Sequence, residues 1–352
     1  MCVLKQIKAW LTLFAAAFCA VLFFAYNKEA LSGALDGIAL CVRIVIPSLF
    51  PFMILTRLII ENEHSPLLDI PFVPYARLLG IKSKKAPAAI LLSFLGGFAV
   101  AAKLISSLYE SGEISKRDAM VMMCCCVTSA PSFVISAVGG GIAGSLYTGA
   151  VMFILLTLAS LFCGVVFGFI IKPETESQKA HLGINAAPSG FVEAVRDSVF
   201  SVCCICGYVV FFSFLMGILK DFSLSAPIKE VAAMLLESTS ACKLLKEPIK
   251  CCAALSICGA SIILQVRAMA NKDISLAPLL ASRLLHLPIS LLLFKLILWL
   301  FPVYTTTAAI TIFPRKTYTH IPADVTAMIF ALLCMVFCAI PPRSLRKEKK
   351  KV

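Results

Sequence analysis

The 352 residues are 60% hydrophobic and only 14% charged, with a mean hydropathy of +0.95, whereas soluble domains run at about 45–50% apolar and about 25% charged. So much apolar surface excludes disorder, and no soluble fold of this length hides it from water, so the chain reads as an all-α, multi-pass membrane protein. The net charge of +13 is no nucleic-acid footprint: the basic residues gather between apolar stretches and in the tail Arg343, Arg346, Lys347, Lys349, Lys350 and Lys351, as anchoring to anionic lipid and the positive-inside rule require.

The first apolar run, Ile7 to Tyr26, follows Lys5 and Lys8. It is longer than the about 7–15 residues of a removed signal core and lacks a clear small-x-small site before Asn27, so it reads as a retained anchor with its N-terminus inside. With 8–26, the stretches 34–60, 119–138, 143–171, 192–219, 277–301 and 324–341 make seven crossings of roughly 20 residues. Two more, 86–109 and 249–270, are interrupted by Gly96-Gly97 and by Gly259. They read as re-entrant hairpins, tolerated at membrane depth only where protein or a water-filled cavity covers their backbone.

Lys82, Lys84, Lys85, Lys116, Arg117 and Lys172 fit an inside location. Seven crossings, however, leave the basic tail outside, against its charge. An extra crossing hides in 302–323 or near 229–245, or the count errs elsewhere, and the expectation is about seven or eight transmembrane helices plus two re-entrant hairpins.

The two halves match at an offset of 162. It lays Leu49-Phe50-Pro51-Phe52-Met53 on Phe211-Phe212-Ser213-Phe214-Leu215, and Gly97 with Lys103 on Gly259 with Gln265. Slightly smaller offsets bring Glu113-Ile114-Ser115 onto Asp273-Ile274-Ser275. One helix near 143–171 separates two units of even crossing number, so the second enters from the opposite side, an inverted repeat. The expected organisation is an anchor at 1–30, a first repeat at 31–140, a linking helix and loop at 141–188, a second repeat at 189–301, and a C-terminal helix with basic tail at 302–352.

Four constellations could carry chemistry. At Gly97 the chain turns tightly, and the half-helix that follows begins with free N–H groups and the positive end of its dipole, which suits an anion beside Lys103; a lysine snorkelling to the surface is the plain alternative. Thr128 and Ser129, next to Pro131, interrupt an apolar helix and offer hydroxyls and freed carbonyls, or mark a proline kink. Glu237, Ser238 and Thr239 set a carboxylate beside hydroxyls, for cation coupling or a polar ligand, or face the aqueous boundary. Ser261, Gln265 and Arg267 follow Gly259; the amide both donates and accepts, and the guanidinium can grip a carboxylate or anchor the boundary.

Most of the sixteen cysteines, such as Cys124, Cys125, Cys126, Cys251 and Cys252, sit inside apolar runs and read as reduced packing residues. Cys203 and Cys206 form a lone CxxC with no second pair or spaced histidine, so no metal or redox centre is expected. No Walker loop, GxSxG elbow, HExxH or pair of catalytic carboxylates appears, so no enzyme, catalytic residue or cofactor is expected.

The order Pro47-Ser48-Leu49-Phe50-Pro51-Phe52, Gly97 to Leu104 with Lys103, Ser129-Ala130-Pro131 before Phe133, Leu236-Glu237-Ser238-Thr239, then Gln265 and Arg283-Leu284-Leu285-His286 resembles the sporulation integral membrane proteins of the YlbJ type, which carry the nucleoside recognition, or Gate, domain. The resemblance covers roughly residues 30 to 300. It implies an architecture similar to the concentrative nucleoside transporters, with inverted repeats and two hairpins. It also implies a role in moving dipicolinic acid across the outer forespore membrane of endospore-forming bacteria. The partners expected are therefore a small organic anion, the lipid bilayer and, as an option, further copies in a homo-oligomer, with no nucleic acid. A nucleoside or other small solute, or a non-transporting sporulation scaffold, are the alternative readings.

Overall fold

A backbone out of reach of water must hydrogen-bond to itself, and this chain does so with helices. The computed structural model describes residues 2–61, 68–172 and 190–300, and no strand occurs among them. The expected crossing at 324–341, the run 302–323 and the basic tail lie outside the described residues.

Helix α1 spans Cys2–Ala25. Helix α2, Asn27–Leu40, continues through a π-helical segment, Cys41–Val45, into α3, Ile46–Glu61. The wider turn lies just before Pro47, whose missing N–H and bulky ring disturb an ordinary helical ladder. After the short α4, Val73–Leu78, helices α5, Ala86–Gly96, and α6, Phe98–Glu110, fold back on one another about Gly97. Gly97 has φ 80° and ψ −171°, a conformation that a side chain would strain.

Helix α7, Lys116–Cys126, starts from a reciprocal Ser115–Asp118 capping box. It stops where Val127 leaves helical geometry, and beyond Pro131 a π-helical segment, Ser132–Ile142, resumes the path. Helix α8, Leu146–Ile170, follows, capped by Ser145. After α9, Phe191–Asp221, helices α10, Ala226–Leu236, and α11, Ser238–Leu245, pack on one another across the extended Glu237. Helices α12, Pro248–Ile257, and α13, Ala260–Met269, are separated by Cys258 and Gly259, and α14 spans Ala277–Leu300.

The stretch 249–270 thus differs from the hairpin expected there. Helix α12 lies on α11 and α14 while α13 lies on α6 and α9, so together they form one broken path, Pro248–Met269, of 22 residues. The hairpin of this half is α10 with α11, where the sequence suggests only a short helix near 229–245. The first half has a long connection with α4 between α3 and α5, whereas only residues 222–225 separate α9 from α10.

Four helical segments are long and apolar enough to cross a membrane among the described residues: Leu146–Ile170, Phe191–Asp221, Pro248–Met269 and Ala277–Ile297. Shorter apolar helices lie at Leu49–Ile59, Ala86–Gly96 and Ser132–Ile142. Among the described residues the chain is all-helical, with the several long apolar helices of a multi-pass membrane protein.

Hydrogen bonds identify the two ends of the bundle. At one, the Arg117 guanidinium donates to the carbonyls of Leu79 (2.7 Å), Gly168 (2.5 Å) and Ile171 (3.1 Å), and Lys85 Nζ lies 3.0 Å from Glu113 Oε1. Asn271 joins this end through Ser106 Oγ (2.6 Å) and Glu110 Oε1 (2.8 Å). The six loop cations expected on one side therefore cluster at one end. At the other, Tyr26 stacks on Phe222 with ring centroids 5.2 Å apart, Lys229 donates to the Lys220 carbonyl and Lys250 pairs with Glu230 at 3.0 Å.

Helices α2 and α9 approach so closely that only small residues fit between them. A Cβ on Gly33 would lie 2.4 Å from the Ser213 carbonyl oxygen, and one on Gly217 would lie 2.3 Å from that of Glu29. Gly33 and Gly37 thus face Ser213 and Gly217, the small-xxx-small contact that membrane helices use in place of a hydrophobic driving force. Gly33→Leu is expected to lower stability by about 1–3 kcal/mol, the usual range for overpacking. Gly207→Ala, in open space on α9, leaves it unchanged; thermal unfolding in detergent distinguishes the two.

Candidate functional site

Each hairpin tip is seated on the break of the broken helix that follows it. A Cβ on Gly97, at the first tip, would lie 3.0 Å from both the N and the Cβ of Ala130, between α7 and the π-helical segment. A Cβ on Gly259, in the break between α12 and α13, would lie 2.8 Å from the Met234 carbonyl oxygen and 3.2 Å from the Glu237 nitrogen, at the second tip. Four helix ends and four helix starts therefore meet inside the bundle, with backbone N–H and C=O groups that intrahelical bonding cannot satisfy.

The second tip is bonded by its own side chains. The buried Glu237 carboxylate accepts from the backbone N–H groups of Thr239 (2.8 Å) and Ser240 (2.5 Å), capping α11 and placing negative charge on the positive end of its dipole. Ser238 Oγ donates to the Ala254 carbonyl (2.9 Å) and accepts from the Gly259 N–H (3.3 Å), tying the tip to both sides of the neighbouring break. One turn farther along α13, the Gln265 amide donates to Ser261 Oγ at 3.1 Å.

The first tip has no such cap. Gly97 supplies no side chain to α6, and the Thr128 N–H turns back to the Cys126 carbonyl at 3.0 Å. Ser129 is 2% exposed, and its hydroxyl is buried without a partner.

Between the two breaks stands Arg283 of α14, a residue outside the site candidates drawn from sequence. It is 5% exposed. Its Nη2 donates to the Cys124 carbonyl at the end of α7 (3.0 Å), and its Nη1 reaches the sulfur of Cys258 in the α12–α13 break (3.7 Å). Its Nε–H is buried without a partner. One turn on, His286 Nε2 lies 3.1 Å from the Leu156 carbonyl and 3.1 Å from Ser160 Oγ. A carbonyl only accepts, so Nε2 carries the hydrogen and Nδ1 is a bare acceptor, also buried without a partner. The signal for both residues is present in the sequence: a cation and a histidine three residues apart in a 24-residue apolar helix are functional candidates by default.

Lys103 and Arg267 lie elsewhere. Lys103 lines a cavity of about 100 Å³ with Thr56, Arg57, Glu110, Asp197 and Ser198, in which Arg57 pairs with Asp197. Neither tip lines that cavity. Arg267 donates to the carbonyls of Ile274 (2.9 Å), Ala270 (2.8 Å) and Asn271 (2.5 Å), so its guanidinium clamps the loop after α13. Among the described residues no group of three or more His, Cys, Asp or Glu side chains could hold a metal ion.

No protein-family model, curated protein or solved structure matches this chain.

Glu237→Ala removes the cap and leaves buried N–H groups unmet. It is expected to cost about 1–2 kcal/mol in thermal unfolding, while Glu237→Gln, which keeps one accepting oxygen, loses less.

Proposed function

We propose that this chain is a transporter or facilitator of a small organic anion. The resemblance to the sporulation family points to dipicolinate, carried across the outer forespore membrane. The observation that carries this reading is the seating of two hairpin tips on two broken helices, because it gathers interrupted backbone from both halves into one buried region. Interrupted helices inside a membrane protein are tolerated where they are covered by protein or serve a ligand path, and carriers bind their solutes at such breaks.

The order hairpin, broken helix, long helix occurs in both halves, and an offset of 140 pairs Gly97 with Glu237. Helix α5 starts from the Arg117 end of the bundle and α10 from the Lys220 end, so the second copy is inverted with respect to the first. Counting α12–α13 as a crossing raises the seven expected from the sequence to eight. An even number returns the basic tail to the side of the N-terminus and of Lys82, Lys84, Lys85 and Lys172, which removes its conflict with the positive-inside rule.

Two measurements test this reading. In proteoliposomes the purified chain is expected to take up labelled dipicolinate, with competition by other dicarboxylates and not by uridine. Uridine uptake insensitive to dicarboxylates would turn the assignment to nucleosides, and a folded protein that moves neither would leave the scaffold role. For topology, with the exposed Cys203 replaced by Ser, Lys84→Cys and Lys272→Cys should react with an impermeant maleimide from one side of the membrane and Lys246→Cys from the other.

A further inference from the structure

We infer that Arg283 is the residue that receives the carboxylate of the transported solute, an assignment that rests on the transport reading above and specifies its chemistry. The guanidinium groups of Arg117, Arg267 and Arg283 all donate to backbone carbonyls, and they are used differently. Arg117 directs Nε, Nη1 and Nη2 at carbonyl oxygens of Ile171, Leu79 and Gly168. Arg267 spends Nη1 and Nη2 on three carbonyls of its own loop. Both are clamps at a bundle end.

Arg283 is the most deeply placed of the three. It keeps one carbonyl and one sulfur as partners, and its Nε–H points at nothing. Among the described residues no carboxylate lies within ion-pair distance of it. A buried charge without a counter-ion costs several kcal/mol, and a neutral carbonyl and a weakly accepting sulfur offset only part of that. The position is also central: the same side chain touches α7 beside one break and Cys258 within the other, and the backbone of Gly259 next to it lies against the second tip. A carboxylate entering there gains a charge-assisted bond from Nε and supplies the missing counter-charge. The bare Nδ1 of His286, one turn along the same helix, is a further buried polar atom without a partner.

The test compares pyridine-2,6-dicarboxylate with its uncharged isostere pyridine-2,6-dicarboxamide, by titration calorimetry on the full chain in nanodiscs. The wild type is expected to bind the dicarboxylate at least tenfold more tightly than the dicarboxamide, and Arg283→Gln is expected to abolish that preference. A preference kept by Arg283→Gln, or equal wild-type affinities for the two probes, overturns the assignment. Where the Gln variant does not fold, Arg283→Lys gives the reading. A loss of threefold or more for the dicarboxylate supports the guanidinium contact, and unchanged affinity overturns it. Uptake in proteoliposomes keeps the two levels apart: uptake of labelled dipicolinate at wild-type rate by Arg283→Gln sinks the role of Arg283 alone, whereas no uptake of any solute by a folded wild type sinks the transport reading.

Discussion

The constraint on which the rest of this molecule depends is that a helix broken inside an apolar bundle must find partners for its freed backbone groups, each worth several kcal/mol when left bare. The fold meets it by bringing breaks together in pairs. Gly97 lies against Ala130, and Gly259 against Leu236 and Glu237, so that each interruption is covered by another and not by lipid. The glycines matter for this close approach, since a Cβ at either place would enter its neighbour's contact distance.

The two pairs are finished differently. At the second, Glu237 and Ser238 bond the start of α11 and tie the tip to the neighbouring break, and the carboxylate acts as a cap on α11. At the first, glycine and alanine provide no such groups, and the nearby Ser129 hydroxyl is unpartnered. One side of the centre is thereby fixed by its own bonds while the other retains unused hydrogen-bonding capacity. Arg283 stands between them with capacity of its own.

Small residues do the remaining packing. The fully buried Cys124, Cys125 and Cys126 of α7 meet α8 where a Cβ on Gly164 would lie 2.5 Å from Cys125 Cβ, and Tyr75 donates across the same seam to the Leu161 carbonyl at 2.8 Å. Thiols here serve as compact apolar side chains, as expected from their place in apolar runs. With Gly33 and Gly217 between α2 and α9, they show how helices without a hydrophobic incentive to associate gain contact by approaching closely.

The sequence by itself determined the solvent, the class and the first tip. Apolar runs and loop cations dictate a multi-pass helical protein, and paired glycines announce the turn at Gly97. It missed the second tip because a glutamate makes that break, with a carboxylate that replaces the backbone bonds the chain gives up, and no glycine marks the place. It also placed Gly259 at a hairpin, because local composition cannot tell a chain that reverses from one that is interrupted and continues; that depends on whether α13 packs on α12 or on α6 and α9, a question of long-range contact. The roles of the cations are of the same kind. Arg267 and Arg283 both lie in apolar segments, but only the tertiary structure decides which one meets loop carbonyls and which one is buried between two broken helices with a donor to spare.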